Sequence, residues 1–193
     1  MTRLILGSQS PRRKEILEYF SIPFEQMTSA FAEESVPFDN DPQKYVCEIS
    51  QGKARVLAKK FPKAVILTAD TIVHRDGKVY GKPKSKEEGE EILLALAGVW
   101  HEVYTGVTVC QGKDERSAAE MTRVLFNPLS RAEIQCYQAK IQWDDKAAGY
   151  AIQKNGSVII RAIEGCYYNV LGLPIQTVKM LLAHAGINLW DHL

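Results

Sequence analysis

The feature that most limits the fold of this chain is its opening, where strand, turn and helix follow one another with their boundaries written in side chains. Leu4-Ile5-Leu6 is a short apolar run suited to a buried strand, and Gly7-Ser8-Gln9 is a polar turn. Ser10 can then cap a helix through its side-chain oxygen. Pro11 suits the first turn, where a missing N–H loses no partner. Ile16, Leu17 and Phe20 give that helix an apolar face. Strand and helix in direct succession call for an architecture that layers one on the other.

The rest of the chain keeps to that mixture. Phe24 to Met27 reads as another strand, and the acidic, proline-containing stretch from Glu33 to Pro42 as a loop. A second helix is expected from about Gln43 to Phe61. Strand-like Val65-Ile66-Leu67 leads into Ala69-Asp70-Thr71-Ile72-Val73, with Asp70 at the carboxyl end of the apolar run, and Asp76-Gly77 signals a hairpin. Ser85 to Ala97 reads as a helix with an acidic first half. His101 to Val109 and Met121 to Phe126 suit a pair of antiparallel strands. Ser130 with Glu133 forms a capping box for a further helix. Gly149 to Gly172 reads as turn-rich, including Asn155-Gly156-Ser157, and Pro174 opens a last helix on Ile175, Val178, Leu181, Leu182 and Ala185. No repeat or low-complexity linker interrupts the sequence. The expectation is a single α/β domain over residues 1–193, with a mixed, twisted sheet flanked by helices. Two tightly joined lobes, one smaller and β-rich, would leave a deep cleft between them.

With 193 residues, 46% of them hydrophobic, the chain can bury a substantial core. Its 24 basic and 23 acidic residues leave a net charge of +1, which argues against a dedicated nucleic-acid or membrane-surface protein. Cys47, Cys110, Cys136 and Cys166 form no CxxC pair and read as reduced, buried or half-buried packing thiols of a cytoplasmic protein. After Thr2-Arg3 the apolar run is too brief for a signal peptide, and no stretch approaches the ~20 apolar residues that span a bilayer.

Local clusters carry the chemistry. Arg12 and Arg13 stand in the first turn of a helix, where the positive end of the dipole disfavours each cation by roughly 0.3–1 kcal/mol. A bound anion would reverse that sign, and phosphate is the natural candidate; an ordinary solvated helix start accounts for the pair equally well. Lys53 falls within the apolar stripe of Val46, Ile49, Val56 and Leu57. There it must be neutral, paired, or reaching out towards a cleft, unless its stem merely covers apolar surface. Gly52 beside it is costly in a helix interior and would permit close approach of another backbone. Asp70 at a strand end is a candidate active-site carboxylate, with a turn or cap aspartate as the plainer reading. Gly81-Lys82-Pro83 holds a lysine between two backbone-restricting residues, near Lys84 and Lys86. Glu33 and Glu34 could supply a metal ligand or be solvated acids. Cations for phosphate, carboxylates for Mg²⁺ and one carboxylate to activate water would together make a phosphoanhydride hydrolase. No GxxxxGK[ST], GxGxxG or HExxH motif occurs, which disfavours P-loop ATPases, Rossmann dehydrogenases and zincins. His74, His101, His184 and His192 show no ligand spacing and read as surface or packing residues.

Leu6 to Arg13 resembles the amino-terminal signature of the Maf family of nucleotide pyrophosphatases. The resemblance runs on through Glu33, Lys53-Ala54, Ala69-Asp70-Thr71, Gly81-Lys82-Pro83, His101 to Val107, Tyr150-Ala151-Ile152-Gln153 and Glu164 to Pro174, in family order over nearly the whole chain. It implies a fold related to the inosine-triphosphate pyrophosphatases, a homodimer, and hydrolysis of a nucleoside triphosphate between the α and β phosphates with Mg²⁺ or Mn²⁺. It also implies Asp70 as general base, Glu33 with Asp70 at the metal, and Ser10, Arg13, Lys53 and Lys82 at the phosphates and substrate. Arg12, Thr71 and Gln153 stand where substrate subgroups separate, and Thr71 with Gln153 is similar to the dTTP/UTP branch. Gly7 in place of alanine, Ala148-Gly149 in place of Gly-Ala, and Cys166 in place of a polar residue depart from the pattern. The implied role is the removal of surplus or non-standard pyrimidine nucleotides. A nucleotide-binding regulator of cell division with little catalysis is the rival, and a phosphatase releasing inorganic phosphate a third reading.

Overall fold

The computed structural model describes residues 3–193; Thr2, read above as flanking the first strand, lies outside the described residues. In chain order the elements are β1 (Leu4–Leu6), α1 (Pro11–Leu17), β2 (Phe24–Gln26), α2 (Pro42–Lys60), β3 (Val65–Arg75), β4 (Lys78–Tyr80), α3 (Lys86–Leu96), β5 (Trp100–Gln111), β6 (Asp114–Phe126), α4 (Arg131–Gln138), β7 (Ile160–Glu164), α5 (Tyr167–Val170) and α6 (Ile175–His184). Short 3-10 turns at Glu33–Ser35, Ala147–Gly149, Lys154–Val158 and Leu189–His192 complete the chain. The mixed α/β class agrees with the reading of the sequence. One seven-stranded sheet runs in the order β2-β1-β3-β5-β6-β7, with β4 added beside β3.

Two compact units divide the chain, one comprising the residues up to Asp70 with Thr105–Glu120 and Gly172–Leu193, the other Thr71–Tyr104 with Met121–Leu171. In the first, β1 lies parallel to both β2 and β3, pairing Leu4, Ile5 and Leu6 with Val65, Ile66 and Leu67. Buried on both faces, β1 and the Val65–Leu67 part of β3 are the unbroken apolar runs that a central parallel strand requires. Helix α2 packs Ala54 and Leu57 against Ile5, Ile66 and Cys110. Asp41 caps α2 by accepting from the Lys44 N–H at 3.0 Å, with Pro42 at its first position.

In the second unit, Asp76-Gly77 turns the chain from β3 into β4 with φ of 50° and 76°, the left-handed pair that a two-residue hairpin needs. Helices α3 and α4 bury Ile92, Leu93, Leu96, Ile134 and Tyr137 in a core with Val103, Val124 and Phe126. The capping box at α4 is present in full, Ser130 and Glu133 each satisfying the other's backbone N–H. The turn-rich reading of Gly149 to Gly172 needs correction, because β7 and α5 lie within it. β7 pairs antiparallel with β6 across a bulge at Leu125/Phe126, and its half-buried face gave no clean alternation to read. One cysteine also departs from expectation, since Cys136 is exposed on α4.

His101 sits in this second core at 2% exposure, its Nε2 2.9 Å from the Tyr150 hydroxyl and its ring edge-on to Phe126. Burial lowers its pKa from 6.5 to about 4, so the folded protein holds it neutral. The unfolded chain takes up that proton as pH falls through 6.5, whereas the folded chain does so only near 4. Stability linked to His101 is therefore complete above about pH 6.5 and is lost between there and 4, a change of roughly 3 kcal/mol. Urea midpoints at pH 7.5 and 4.5 should show that loss, and His101→Gln should remove this part of the slope. An equally steep slope in the variant would assign the effect to other groups.

Candidate active site

The centre of the first unit is an ammonium held between two carboxylates. Lys53 lies on α2 within the apolar stripe and is paired: its Nζ is 2.8 Å from Glu33 Oε1 and 2.7 Å from Asp70 Oδ1. Lys53 and Asp70 each keep only 11% of their side-chain surface exposed, while Glu33 keeps 54%. A lysine so enclosed is tolerable because two anions offset its lost hydration.

Asp70 does not end its strand. β3 continues from Val65 to Arg75 with Asp70 near the middle, so the expectation of a strand-end carboxylate is corrected. The β-branched Thr71, Ile72 and Val73 carry the strand on into its hairpin, and the Lys53 ammonium makes a buried carboxylate acceptable inside it. Burial raises the Asp70 pKa above the ordinary carboxylate value, while Lys53 and then Arg13 pull against that rise.

Glu33 reaches Lys53 because Gly52 makes room. A Cβ at Gly52 would lie 2.3 Å from the Phe31 ring, so the glycine admits an aromatic side chain where a second backbone had been expected. Phe31, seated on α2, brings the 3-10 turn at Glu33–Ser35 down to the lysine. Ser29 ties the same loop to the helix by donating to the Lys53 carbonyl at 3.2 Å.

Hydroxyls fix α2 against the sheet. Thr68, two residues before Asp70, donates to the Ser50 carbonyl at 2.7 Å, and Ser50 Oγ lies 2.7 Å from Thr108 Oγ1. All three are fully buried. Ser50 stands one turn before Lys53, so these bonds set the helix bearing the lysine against the strand bearing the aspartate. No sequence signal marks these residues, since isolated Ser and Thr in buried elements give no pattern. Gly7, the departure from alanine, faces the same place: a Cβ there would meet Leu57 Cδ1 at 2.5 Å and Thr68 Cγ2 at 2.6 Å.

Arg13 is committed to the protein itself. Its Nε donates to the Gly172 carbonyl at 2.7 Å, and its Nη1 to Ser8 Oγ at 3.1 Å and to the Ala69 carbonyl at 2.9 Å. It thus joins three segments, one of them the residue before Asp70. Ser10 caps α1 as the sequence indicates, accepting from the Arg13 N–H at 3.4 Å, and donates its own N–H to Ser8 Oγ at 3.2 Å. Ser8, buried and bonded to both, is a further residue the sequence reading passed over. Arg12 is half-buried on α1.

Thr71, Lys82 and Gln153 belong to the second unit. Thr71 is half-buried on β3, and Lys82 is exposed between Gly81 and a buried Pro83. The Gly81 carbonyl accepts from the Ala148 N–H at 2.8 Å. Ala148 and Gly149 both have left-handed φ, 54° and 68°. Either order of Gly and Ala therefore strains one alanine, which makes the inverted pair a small change. Gln153 is half-buried at the start of the 3-10 turn Lys154–Val158.

Asp70 and Lys53, both largely buried, with the exposed Glu33 on the same ammonium and Arg13 bonded to the residue before the aspartate, form a charged cluster with the chemistry to bind an anion and to accept a proton. The profile of the Maf-like protein family matches residues 3–185, and the chain belongs to that family. A dTTP/UTP pyrophosphatase of Chlamydia caviae is 46% identical over 192 residues, 99% of this chain and 98% of that protein. A nucleoside triphosphate pyrophosphatase of Chlamydia muridarum is 40% identical over 193 residues, 100% of this chain and 98% of the other. Among solved structures, a HAM1 protein from Coxiella burnetii superposes with a TM-score of 0.51 at 14% identity, over 95% of this chain and 100% of that one, a likeness of fold. No helix among the described residues is long and apolar enough to cross a membrane.

Proposed function

We propose that this protein hydrolyses nucleoside triphosphates between the α and β phosphates, releasing the monophosphate and pyrophosphate, with dTTP and UTP as its substrates. The observation that carries the reading is Lys53 bound at once to Glu33 and Asp70. The names of the full-length relatives support the same activity and do not favour the regulator of cell division.

Asp70 is the general base. Its buried carboxylate has a raised pKa, which suits it to accept a proton from water attacking the α-phosphorus. With Oδ1 on Lys53, Oδ2 is the atom assigned to that proton. Lys53 is positioned to donate to phosphate oxygens as the leaving pyrophosphate gains charge. The sequence resemblance gave Arg13 to the phosphates; its bonds to Ser8, Ala69 and Gly172 make it equally a brace for Asp70. Ser10 and Lys82 are assigned to the substrate, and Arg12, Thr71 and Gln153 to base choice.

Among the described residues no group of three or more His, Cys, Asp or Glu could hold a metal. The donors present, Glu33 and Asp70, are hard oxygens, and Mg²⁺ or Mn²⁺ characteristically takes one or two carboxylates together with substrate phosphates. The residues fit such an ion, which when bound would supply charge neutralisation at the phosphates. A cytoplasmic homodimer acting on free nucleotides completes the reading, and the balanced charge of the chain gives no support to a nucleic-acid partner.

The test is a panel of dTTP, UTP, CTP, GTP and ATP with Mg²⁺ or Mn²⁺, with products separated. Monophosphate and pyrophosphate are expected in equal amounts, fastest from dTTP and UTP. Diphosphate with inorganic phosphate would make the protein a phosphatase, and no turnover of any triphosphate would leave a binding protein.

A further inference from the structure

Within the second unit, the segment from Ala148 to Lys154 is strained and yet firmly held. Ala148, Gly149 and Lys154 have φ of 54°, 68° and 52°; for Ala148 and Lys154, a left-handed backbone persists only where the surroundings enforce it. Tyr137 on α4 supplies that enforcement. Its hydroxyl donates to the Ala151 carbonyl at 3.1 Å and accepts from the Ala151 N–H at 2.9 Å, the two bonds a neighbouring strand would make. Only 4% of Tyr137 is exposed, and burial raises its pKa to about 12, so it keeps its proton. Gly156 closes on the same group, since a Cβ there would lie 1.9 Å from the Ala151 carbonyl oxygen. The neighbouring Tyr150 is fixed by its bond to His101.

We propose that Tyr137 is a positioning residue for base selection, its hydroxyl fixing the Ala151 peptide and so the orientation of Gln153 two residues on. The inference rests on Gln153 as a base-choosing position. A primary amide presents a donor and an acceptor in fixed order, and it discriminates between bases only while its backbone holds that order in place. Tyr137 touches no substrate in this account; it acts through the segment it clamps.

Tyr137→Phe removes one oxygen and leaves the ring packed. The expected result is a fall of about fivefold or more in the ratio of kcat/KM for UTP over GTP, the worth of one to two ordinary hydrogen bonds, with the products unchanged. Faster hydrogen exchange confined to residues 150–154 should accompany it. A purely structural tyrosine would lower kcat/KM for both nucleotides alike, and an unchanged ratio would overturn the proposal. So would unchanged exchange at Ala151. Gly156→Ala, pressing on the same carbonyl oxygen, should shift the ratio the same way. Gln153→Ala separates the two levels: if it alters the ratio and Tyr137→Phe does not, the role of Tyr137 fails alone. If Gln153→Ala leaves the ratio untouched, the base-choosing reading fails and takes the inference with it.

Discussion

Asp70→Asn is expected to reduce pyrophosphate release from UTP by about a thousandfold, the middle of the range for loss of a positioned general base. The asparagine keeps an amide oxygen for Lys53 Nζ, so nucleotide binding should survive within a few-fold. Stability gives a second signature. Burial raises the Asp70 pKa, which means the fold tolerates the ionised carboxylate less well than water does, and a neutral amide removes that cost. The variant also takes from Lys53 one of its two anions, a loss that opposes this gain, so its melting temperature should stay close to that of the parent while activity collapses. Calorimetry beside the turnover assay checks both; a fully active variant would take Asp70 out of the mechanism.

Gly52→Ala should produce the second large effect, through geometry alone. The new methyl would lie 2.3 Å from the Phe31 ring, so the ring must retreat by more than an ångström to reach ordinary contact. Glu33, two residues on, moves with it and leaves Lys53. A displacement of that size costs on the order of a hundredfold in rate when the site depends on it. The stability cost should be small, because roughly 1 kcal/mol of improved helix propensity offsets the overpacking. Turnover and urea midpoints measured together would show activity falling much further than stability. Phe31→Leu added to Gly52→Ala should recover part of the rate. Unaltered turnover in Gly52→Ala would mean that the placement of Glu33 is unimportant.

The contrast between Lys53 and Arg13 indicates what the sequence could disclose. Lys53 was legible because a charge in an apolar stripe violates a local rule, and its partners are what the violation called for. Arg13 was legible as a cation at a helix start, but its three bonds run to Ser8, Ala69 and Gly172, and the last contact lies far along the chain. Caps at Ser10 and Ser130 and the Asp76-Gly77 turn could be read because their chemistry is local. β7 and the extent of β3 could not, because pairing with a distant strand decides where a strand stops. The Thr68–Ser50–Thr108 bonds were invisible for the same reason, each donor finding its partner only across the folded sheet and helix.

The most direct test of the central claim is hydrolysis of UTP in ¹⁸O-labelled water, with the products resolved by mass spectrometry. Attack of water on the α-phosphorus, aided by Asp70, places one ¹⁸O in the uridine monophosphate and none in the pyrophosphate. Label in pyrophosphate would put the attack on the β-phosphorus, and labelled inorganic phosphate beside uridine diphosphate would put it on the γ-phosphorus. Either outcome would contradict the site as described.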